Sequence, residues 1–199
     1  MKLAFPHFSD SPARAARQAA SGVTLVELLV VVAIMGVAAT VALPDMQEFI
    51  QDASVSTRAN ALLAGLNYTR SEAVKRNTRV TMCTSGDGAT CAAGGGNWKL
   101  GWIIFVDGKV PAALDGTDEI LRVQAAASGS GSVIGAGGVA NYVSYVSNGQ
   151  ASLADGGPQA GTFSVCAAAP NVKRRKIELT QGSGWVGVKV VAGSAACTS

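Results

Sequence analysis

The sequence of 199 residues predicts an α+β fold, in which one long N-terminal helix packs against an antiparallel β-sheet head. Three observations predict this fold. Residues 23–43 form an apolar run, and residues 44–77 continue it with apolar side chains at helical spacing. From residue 78 to residue 199, short β-rich runs alternate with turn residues. Residues 1–22, which precede the apolar run, are expected to be a leader.

The apolar run is long enough to cross a membrane. Its 21 residues read VTLVELLVVVAIMGVAATVAL, and at about 1.5 Å per residue such a helix spans the hydrocarbon core of a bilayer. The polar leader carries three cations, Lys2, Arg14 and Arg17, against one acid, Asp10. Positive charge keeps a flanking segment on the cytoplasmic side. The sequence therefore predicts a single membrane pass with the head on the opposite side.

Glu27 interrupts the apolar run, and three interpretations of the segment compete. A secretory signal cut after the run, near Ala42, would have an unusually long basic region and apolar stretch. An uncleaved anchor would leave a carboxylate in the membrane, at a cost of about 2–3 kcal/mol near the bilayer centre. The third interpretation gives the carboxylate a function, and it depends on the residues around it.

The string SGVTLVEL at 21–28 resembles the class III signal of type IV prepilins. The resemblance implies that a prepilin peptidase cuts between Gly22 and Val23 and methylates the new amine of Val23. The prepilin leader is then removed, and the apolar run stays on the protein as a transmembrane helix that later packs in a filament core. Glu27 becomes the fifth mature residue and pairs with the amine of a neighbouring subunit. Val23 departs from the phenylalanine that usually occupies the first mature position.

Residues 44–77 have the pattern of a helix with one buried face. Apolar side chains recur at the i, i+3, i+4 and i+7 spacing: Met46, Phe49, Ile50, Ala53, Ala59, Leu62, Leu63, Leu66 and Ala73. Seven β-rich runs then predict one antiparallel sheet: 80–83, 101–106, 120–124, 142–146, 162–167, 176–180 and 185–191. Two glycine-rich stretches, 94–96 and 128–138, are predicted to be loops, and neither has the spacing of a nucleotide-binding loop.

Two side-chain patterns complete the prediction for the head. Trp102, Ile104 and Val106 alternate along one β-rich run, so they are expected to face the core of the sheet. Cations cluster where the amphipathic helix is expected to end, and they are interpreted as a solvated helix terminus: Arg70, Lys75, Arg76 and Arg79.

The strings RSEAVKRN at 70–77, VTMC at 80–83 and GWIIFVD at 101–107 are similar to those of the GspH/FimT family of minor pilins and pseudopilins. The resemblance implies a type IV pilin-like fold with a single pass in the bacterial inner membrane and a periplasmic head. It implies a subunit that aids assembly or priming of a type IV pilus (FimT-like, which RSEAVKRN and the cysteines favour) or of a type II secretion pseudopilus (GspH-like). The implied partners are the prepilin peptidase, other pilins, the inner-membrane assembly platform and membrane lipid. The alternative is an anchored or secreted periplasmic domain with an enzymatic or binding activity.

The cysteines indicate an oxidising compartment. Cys83, Cys91, Cys166 and Cys197 are well separated and form no C-x-x-C pair, which argues against a zinc ribbon. An even number of cysteines behind a membrane-targeting segment indicates disulfides. The pairing of Cys83 with Cys91 and of Cys166 with Cys197 is favoured, because each pair lies within one half of the chain. Buried free thiols are the alternative.

The residues of the mature segment do not predict an enzyme. The only histidine, His7, lies in the leader, so neither Ser-His-Asp nor Cys-His catalysis is expected. No cofactor motif is present, and no cofactor is expected. The carboxylates of Asp107, Asp115, Asp118 and Glu119 are ligands that calcium accepts. Their spacing fits no EF-hand, so a solvated acidic loop is favoured and no metal is expected.

Some FimT-like members are implicated in DNA uptake, so the resemblance also raises a role in DNA uptake, but DNA is expected to bind weakly at most. Residues 23–199 contain 13 basic and 12 acidic residues, so only a local cluster could attract a nucleic acid. Such a cluster is formed by Lys173, Arg174, Arg175 and Lys176, which could neutralise several phosphates. Neighbouring side chains of a strand point to opposite faces, so about two of the four would face one partner. DNA-binding relatives carry a glycine–arginine motif near the C-terminus, whereas GWVGVK at 184–189 has no arginine.

Overall fold

The computed structural model describes residues 22–94, 96–168, 172–191 and 197, and of residues 41–45 it describes the backbone alone. The chain divides into two compact units, Met1–Ala42 and Leu43–Ser199. The predicted leader lies outside the described residues except for its last residue, Gly22.

Helix α1 comprises Leu25–Arg76 and ends in a well-defined C-terminal motif. Asn77 adopts the left-handed conformation with a φ of 52°. Its N–H donates to the carbonyl of Val74 at 3.3 Å, and the N–H of Thr78 donates to the carbonyl of Ala73 at 3.2 Å. This pair of hydrogen bonds is a Schellman motif, in which asparagine is the commonest substitute for glycine. The helix therefore stops where the sequence pattern changes from helix to strand.

One face of α1 in the second unit is buried, as the apolar spacing predicts. Ala59, Leu62, Leu66 and Ala73 of the predicted stripe are at most 1% exposed, and their spacing keeps them on one face of the helix. Val55, which the prediction did not include, is also fully buried. The first residues of the predicted stripe do not share this burial. The exposed fractions are 58% for Met46, 71% for Phe49 and 59% for Ile50, so the buried face begins later than predicted.

Eight antiparallel strands form two four-stranded sheets in the described part of the head, and not the one sheet predicted. The strands are β1 (Val80–Thr84), β2 (Gly101–Val106), β3 (Ile120–Ala125), β4 (Ser132–Gly137), β5 (Tyr142–Tyr145), β6 (Gly161–Cys166), β7 (Arg174–Leu179) and β8 (Val186–Val191). The first sheet has the order β3-β2-β1-β5, and the second has the order β4-β6-β7-β8. A short 3-10 turn, Trp98–Leu100, leads into β2.

Strand β4 lies within residues 128–138, so the prediction of a loop over that stretch is wrong. The strand sequence SVIGAG has few of the bulky side chains that favour strands. Its small residues are required by packing: a Cβ at Gly135 would lie 2.5 Å from Nε1 of Trp98 and 2.4 Å from the carbonyl oxygen of Val139. Glycine at this position lets the indole ring lie directly against the strand.

The main core joins the buried face of α1 to residues of both sheets. At its centre the rings of Trp98 and Phe163 pack edge to face, with centroids 5.2 Å apart and an interplanar angle of 84°. Trp102 and Ile104 belong to this core, as predicted, whereas Val106 is half-buried and is not part of it. Ile103 and Phe105 form a second cluster with Cys83 on the opposite face of the first sheet. Because both faces of β2 are buried, its sequence GWIIFV reads as a continuous apolar run, whereas β1, also buried, includes the polar Thr81 and Thr84.

Candidate assembly segment and head surfaces

The predicted cleavage site lies directly before α1. Gly22 and Val23 are not helical, and Val23 is 64% exposed. A Cβ at Gly22 would meet no atom within 4 Å. Packing therefore does not require glycine here, in contrast to Gly135. The feature that glycine does provide is an unobstructed backbone that a protease can reach.

Thr24 and Glu27 start the helix. The backbone N–H of Glu27 donates to Oγ1 of Thr24 at 3.2 Å, which makes Thr24 the N-cap and Glu27 the third helical residue. The pattern T-x-x-E is the sequence signature of a capping box, and a carboxylate is favourable near the positive end of a helix. The sequence carried this signal, but the prediction of Glu27 as an assembly residue overlooked it. Glu27 is also exposed, so a partner can reach the same side chain.

The helical residues of the first unit expose apolar side chains on every side. Between 43% and 74% of each of the following is exposed: Leu25, Val26, Leu28, Leu29, Val30, Val31, Val32, Ile34, Met35 and Val37. A helix that is apolar all round is typical of a segment surrounded by other apolar helices or by lipid. Among the described residues, no helical stretch is both long and apolar enough to qualify as a membrane span.

Two of the four cations near the end of α1 hold loops of the head, which differs from the predicted solvated terminus. Nε of Arg70 donates to the carbonyl of Gly149 at 2.9 Å, and its guanidinium lies 4.6 Å from the centre of the Trp185 ring. Nη1 of Arg79 donates to the carbonyls of residues 152–153 at 3.3 and 3.2 Å. Arg70 therefore fixes the loop after β5 to the helix, and Arg79 fixes the continuation of that loop to the segment between α1 and β1.

Arg76 links the helix to the first sheet. It donates to Glu72 at 2.7 Å and to Glu119 at 2.8 Å. The hydrogen bond from Arg76 is the main reason that the pKa of Glu72 is lowered. Lys75, whose side chain is 75% exposed, adds a contact to Glu72 at 3.4 Å. Of the four cations predicted to form a solvated helix end, only Lys75 is therefore largely exposed to solvent.

The four cysteines form the two disulfides that the sequence favours. Cys83 is bonded to Cys91, and Cys166 is bonded to Cys197. The first closes the loop that follows β1, and the second ties residue 197 to the end of β6. The described residues include no free cysteine. Both bonds are of the kind that persists in an oxidising compartment.

The run predicted to contact DNA lies at the start of β7: Lys173, Arg174, Arg175 and Lys176. Contacts within the head engage half of it. Nη2 of Arg175 donates to Oγ of Ser56 and lies 3.8 Å from a carboxylate oxygen of Asp52. Nζ of Lys176 lies 2.9 Å from a carboxylate oxygen of Glu178. The structure therefore does not bring the four cations together as one free positive surface.

A buried polar network joins three strands of the first sheet. Asp107 is 2% exposed, and its Oδ2 accepts hydrogen bonds from Oγ1 of Thr81 and from the N–H of Ala112. Oγ1 of Thr81 is also hydrogen-bonded to Oγ of Ser144. Burial raises the pKa of Asp107, and the hydrogen bond from Thr81 opposes that rise. No group of three or more metal-ligating side chains comes together in the described part of the chain.

Two parts of the chain match models of known families. Residues 17–43 match the model of the prokaryotic N-terminal methylation motif. Residues 58–184, more than half of the chain, match the model of the Type II transport protein GspH. The chain belongs to the GspH family. No curated protein matches the sequence significantly.

Solved structures show the fold of this GspH-family chain in other proteins. The type IV minor pilin FimU of Pseudomonas aeruginosa PAO1 matches in two crystal forms, each with 19% sequence identity. The TM-scores are 0.54 and 0.50, with 74% and 70% of this chain and 99% of the FimU chain covered. The minor pseudopilin EpsH of the Vibrio cholerae Type 2 Secretion System matches at 9% identity with a TM-score of 0.45, over 70% of this chain and 97% of that one. At this identity the likeness to FimU shows the fold alone.

The family match and the methylation motif together assign the general class of the protein. The GspH-family chain is a minor pilin or pseudopilin of a type IV pilus or a type II secretion system. Its first unit contains the predicted processing residues and the exposed apolar helix, and its second unit contains the disulfides, the basic run and the polar network. The predicted site residues therefore fall into two groups that belong to different units of the chain.

Proposed function

We propose that the chain is a FimT-like minor pilin that helps to assemble or prime a type IV pilus. A GspH-like place in a type II secretion pseudopilus is the second candidate. One observation carries the proposal: an apolar helix that is exposed on all sides begins directly after the sterically unobstructed peptide bond between Gly22 and Val23. Such a helix needs an apolar environment, which the membrane provides before assembly and neighbouring helices provide in a filament.

The proposed maturation removes the leader and keeps the helix. A prepilin peptidase cuts between Gly22 and Val23 and methylates the amine of Val23, which the match to the methylation motif supports. The subunit then waits in the inner membrane with its head in the periplasm, where the two disulfides are stable. The assembly platform transfers it into a filament of other pilins.

Glu27 is proposed to pair with the methylated N-terminal amine of a neighbouring subunit. The carboxylate is exposed at the first turn of α1, and burying it among apolar helices without a cation would be costly. The capping box offers a competing function, because an N3 carboxylate stabilises the helix start. The two functions respond differently to glutamine, which keeps the capping hydrogen bond but carries no charge.

The test of maturation is the mass and N-terminal sequence of the chain from membranes, with and without the prepilin peptidase. We expect a peptidase-dependent chain that begins at methylated Val23. Gly22→Val should block the cut, whereas Gly36→Val, at a second glycine whose Cβ would also meet nothing within 4 Å, should not. A chain that begins at Met1 or near Leu43 would overturn the proposal in favour of an anchored or secreted periplasmic domain.

The test of Glu27 compares incorporation of variants into filaments. Glu27→Gln should be processed and inserted normally, because the helix cap is kept, but it should enter filaments poorly because the charge is lost. Asp155→Asn, at an exposed acid of the head, is the matched control and should be incorporated normally. Normal incorporation of Glu27→Gln would refute the pairing and leave helix capping as the function of Glu27.

A further inference from the structure

A cleft of about 350 Å³ opens between α1 and the loop that joins β3 to β4. Its apolar lining includes Ala61, Trp98, Trp102 and Val133, and Arg58 lies in its wall. We call it the Arg58 cleft. Its volume is within the range of specific ligand sites. Neither the proposed maturation nor the basic run uses any of these residues.

Arg58 is buried without a counter-charge. Its exposed fraction is 7%, and Nη2 donates to the carbonyl of Ser128 at 2.7 Å. Nη1 is buried and has no hydrogen-bond partner among the residues that the structure describes. None of the ion pairs between described residues includes Arg58. A buried guanidinium normally has a carboxylate or several carbonyls around it, because removal of its hydration is otherwise uncompensated.

The loop beside Arg58 is shaped around its guanidinium. Gly131 has a φ of 110°, and a Cβ there would lie 2.4 Å from Nη1 of Arg58. A Cβ at Gly129 would lie 3.4 Å from Nη2. Arg58 also borders a second cavity of about 150 Å³ on the far side of this loop. Both glycines have positive φ, which residues with a side chain rarely adopt, so the backbone here lies closer to the guanidinium than other residues would allow.

We propose that the Arg58 cleft receives a glutamate or aspartate side chain, carried on an apolar segment of a neighbouring filament subunit. The carboxylate would complete the hydrogen bonds of Arg58 and neutralise its charge, and the indole rings would contact the aliphatic part of the segment. Arg58 is the sole cation among the described residues that line the cleft. A phosphate backbone, which requires several cations, therefore fits it poorly. The inference depends on the proposed function, because that function supplies the neighbouring subunit.

The first experiment measures binding of the tripeptide acetyl-Leu-Glu-Leu-amide to the mature chain in detergent micelles. Trp98 and Trp102 line the cleft, so their fluorescence reports occupancy, and Trp185→Phe removes the exposed third tryptophan from the signal. We expect the glutamate peptide to bind about tenfold tighter than acetyl-Leu-Gln-Leu-amide. Equal binding of the two peptides, or no saturable binding at millimolar peptide, would overturn the proposal.

Variants of the cleft separate binding from structural support. Arg58→Met should abolish the preference for glutamate and leave the midpoint of unfolding equal or higher, because a buried unpaired charge is removed. Arg122→Met, at an exposed cation of β3, is the control and should change neither. Ala61→Leu narrows the cleft without changing Arg58 and should also weaken binding. A lower midpoint for Arg58→Met with an unchanged peptide preference would show that Arg58 is structural, and would refute the proposal.

The last arm tests whether the occupant is a filament subunit. Arg58→Met should be cut at Val23 as efficiently as the wild type, but it should enter filaments less often. Normal incorporation together with lost peptide binding would refute a neighbouring subunit as the occupant. Failure of the cut at Val23 in the wild-type chain would instead count against the proposed function, so the two failures are distinguishable.

Discussion

Replacing Thr81 with valine removes the centre of the buried polar network while keeping the shape of the side chain. The Thr81 hydroxyl is bonded to a carboxylate oxygen of Asp107 and to the hydroxyl of Ser144. A buried hydrogen bond to a charged group contributes about 2 kcal/mol and a neutral one about 1 kcal/mol. Thr81→Val is therefore expected to lower the free energy of unfolding by about 3 kcal/mol at neutral pH.

The loss should depend on pH, because Asp107 titrates. Burial raises its pKa in the folded state, so Asp107 favours folding at low pH and that contribution is lost as the pH rises through the folded pKa. The hydrogen bond from Thr81 lowers the same pKa, so Thr81→Val should raise it further. As the pH falls through the pKa of the variant and then through that of the wild type, the carboxyl becomes neutral in both proteins. The difference in stability between them should therefore shrink at acid pH.

The assay is chemical denaturation of the mature chain in detergent micelles, followed by near-UV circular dichroism at neutral and at acid pH. Thr57→Val is the matched control, because the exposed Thr57 hydroxyl donates only to the carbonyl of Ala53 in its own helix. The control should change stability by less than about 0.5 kcal/mol. The reasoning would be refuted if Thr81→Val lost no more free energy of unfolding than the control Thr57→Val, or if its loss were equal at both pH values.

Three further predictions concern packing, covalent links and charge. Gly135→Ala should lower the free energy of unfolding, measured by chemical denaturation, by about 2–3 kcal/mol, because the new Cβ would lie 2.4 Å from a carbonyl oxygen. The control Gly86→Ala should leave the free energy of unfolding unchanged, because a Cβ at Gly86 would meet no atom within 4 Å. Cys91→Ser should lower the free energy of unfolding by about 2.6 kcal/mol and Cys197→Ser by about 3.7 kcal/mol, because the two disulfides close loops with sequence separations of 8 and 31 residues. Equal losses for the two variants would contradict the explanation by loop entropy. In a low-salt mobility-shift titration the head should bind DNA weakly, and charge reversal of residues 173–176 should abolish that binding. DNA binding that persists after charge reversal would exclude this basic run as the DNA site.

Local features of the sequence were predicted well, because they depend on neighbouring residues. The amphipathic pattern, the turn residues and the alternation along the chain located α1 and seven strands. The eighth strand, β4, was missed because it contains Gly135, which sequence patterns assign to a loop. Glycine is required at this position by contact with Trp98, which lies far from it in sequence. The division into two sheets was missed for a related reason: Ile103 and Phe105 belong to a second core that only the folded chain creates.

The candidate site shows the same limit. Gly22 and Glu27 could be predicted as site residues because the class III signal is a short linear string, and the same string contains the Thr24 cap that was overlooked. The engagement of Arg175 by helix residues could not be predicted, because those residues are distant in sequence. Arg58 could not be recognised for the same reason: its significance is the absence of a carboxylate around it in the described structure, and an amphipathic pattern does not report that.

The start of α1 explains why a charge at Glu27 would set the position of a subunit in a filament. The proposed cleavage would leave a positive amine at Val23 next to the helix N-terminus, which is itself positive, so the two would repel each other. The Glu27 carboxylate would compensate for both, and the hydrogen bond from the Glu27 backbone N–H to Oγ1 of Thr24 places Glu27 at the third residue of the helix. A carboxylate held at the third helical residue can approach a neighbour's amine only when the two helices are in a definite axial register. Glu27 would thereby both support the helix start and determine how far each subunit advances along the filament, and neutral Glu27→Gln would lose the second function while keeping the backbone hydrogen bond to Thr24.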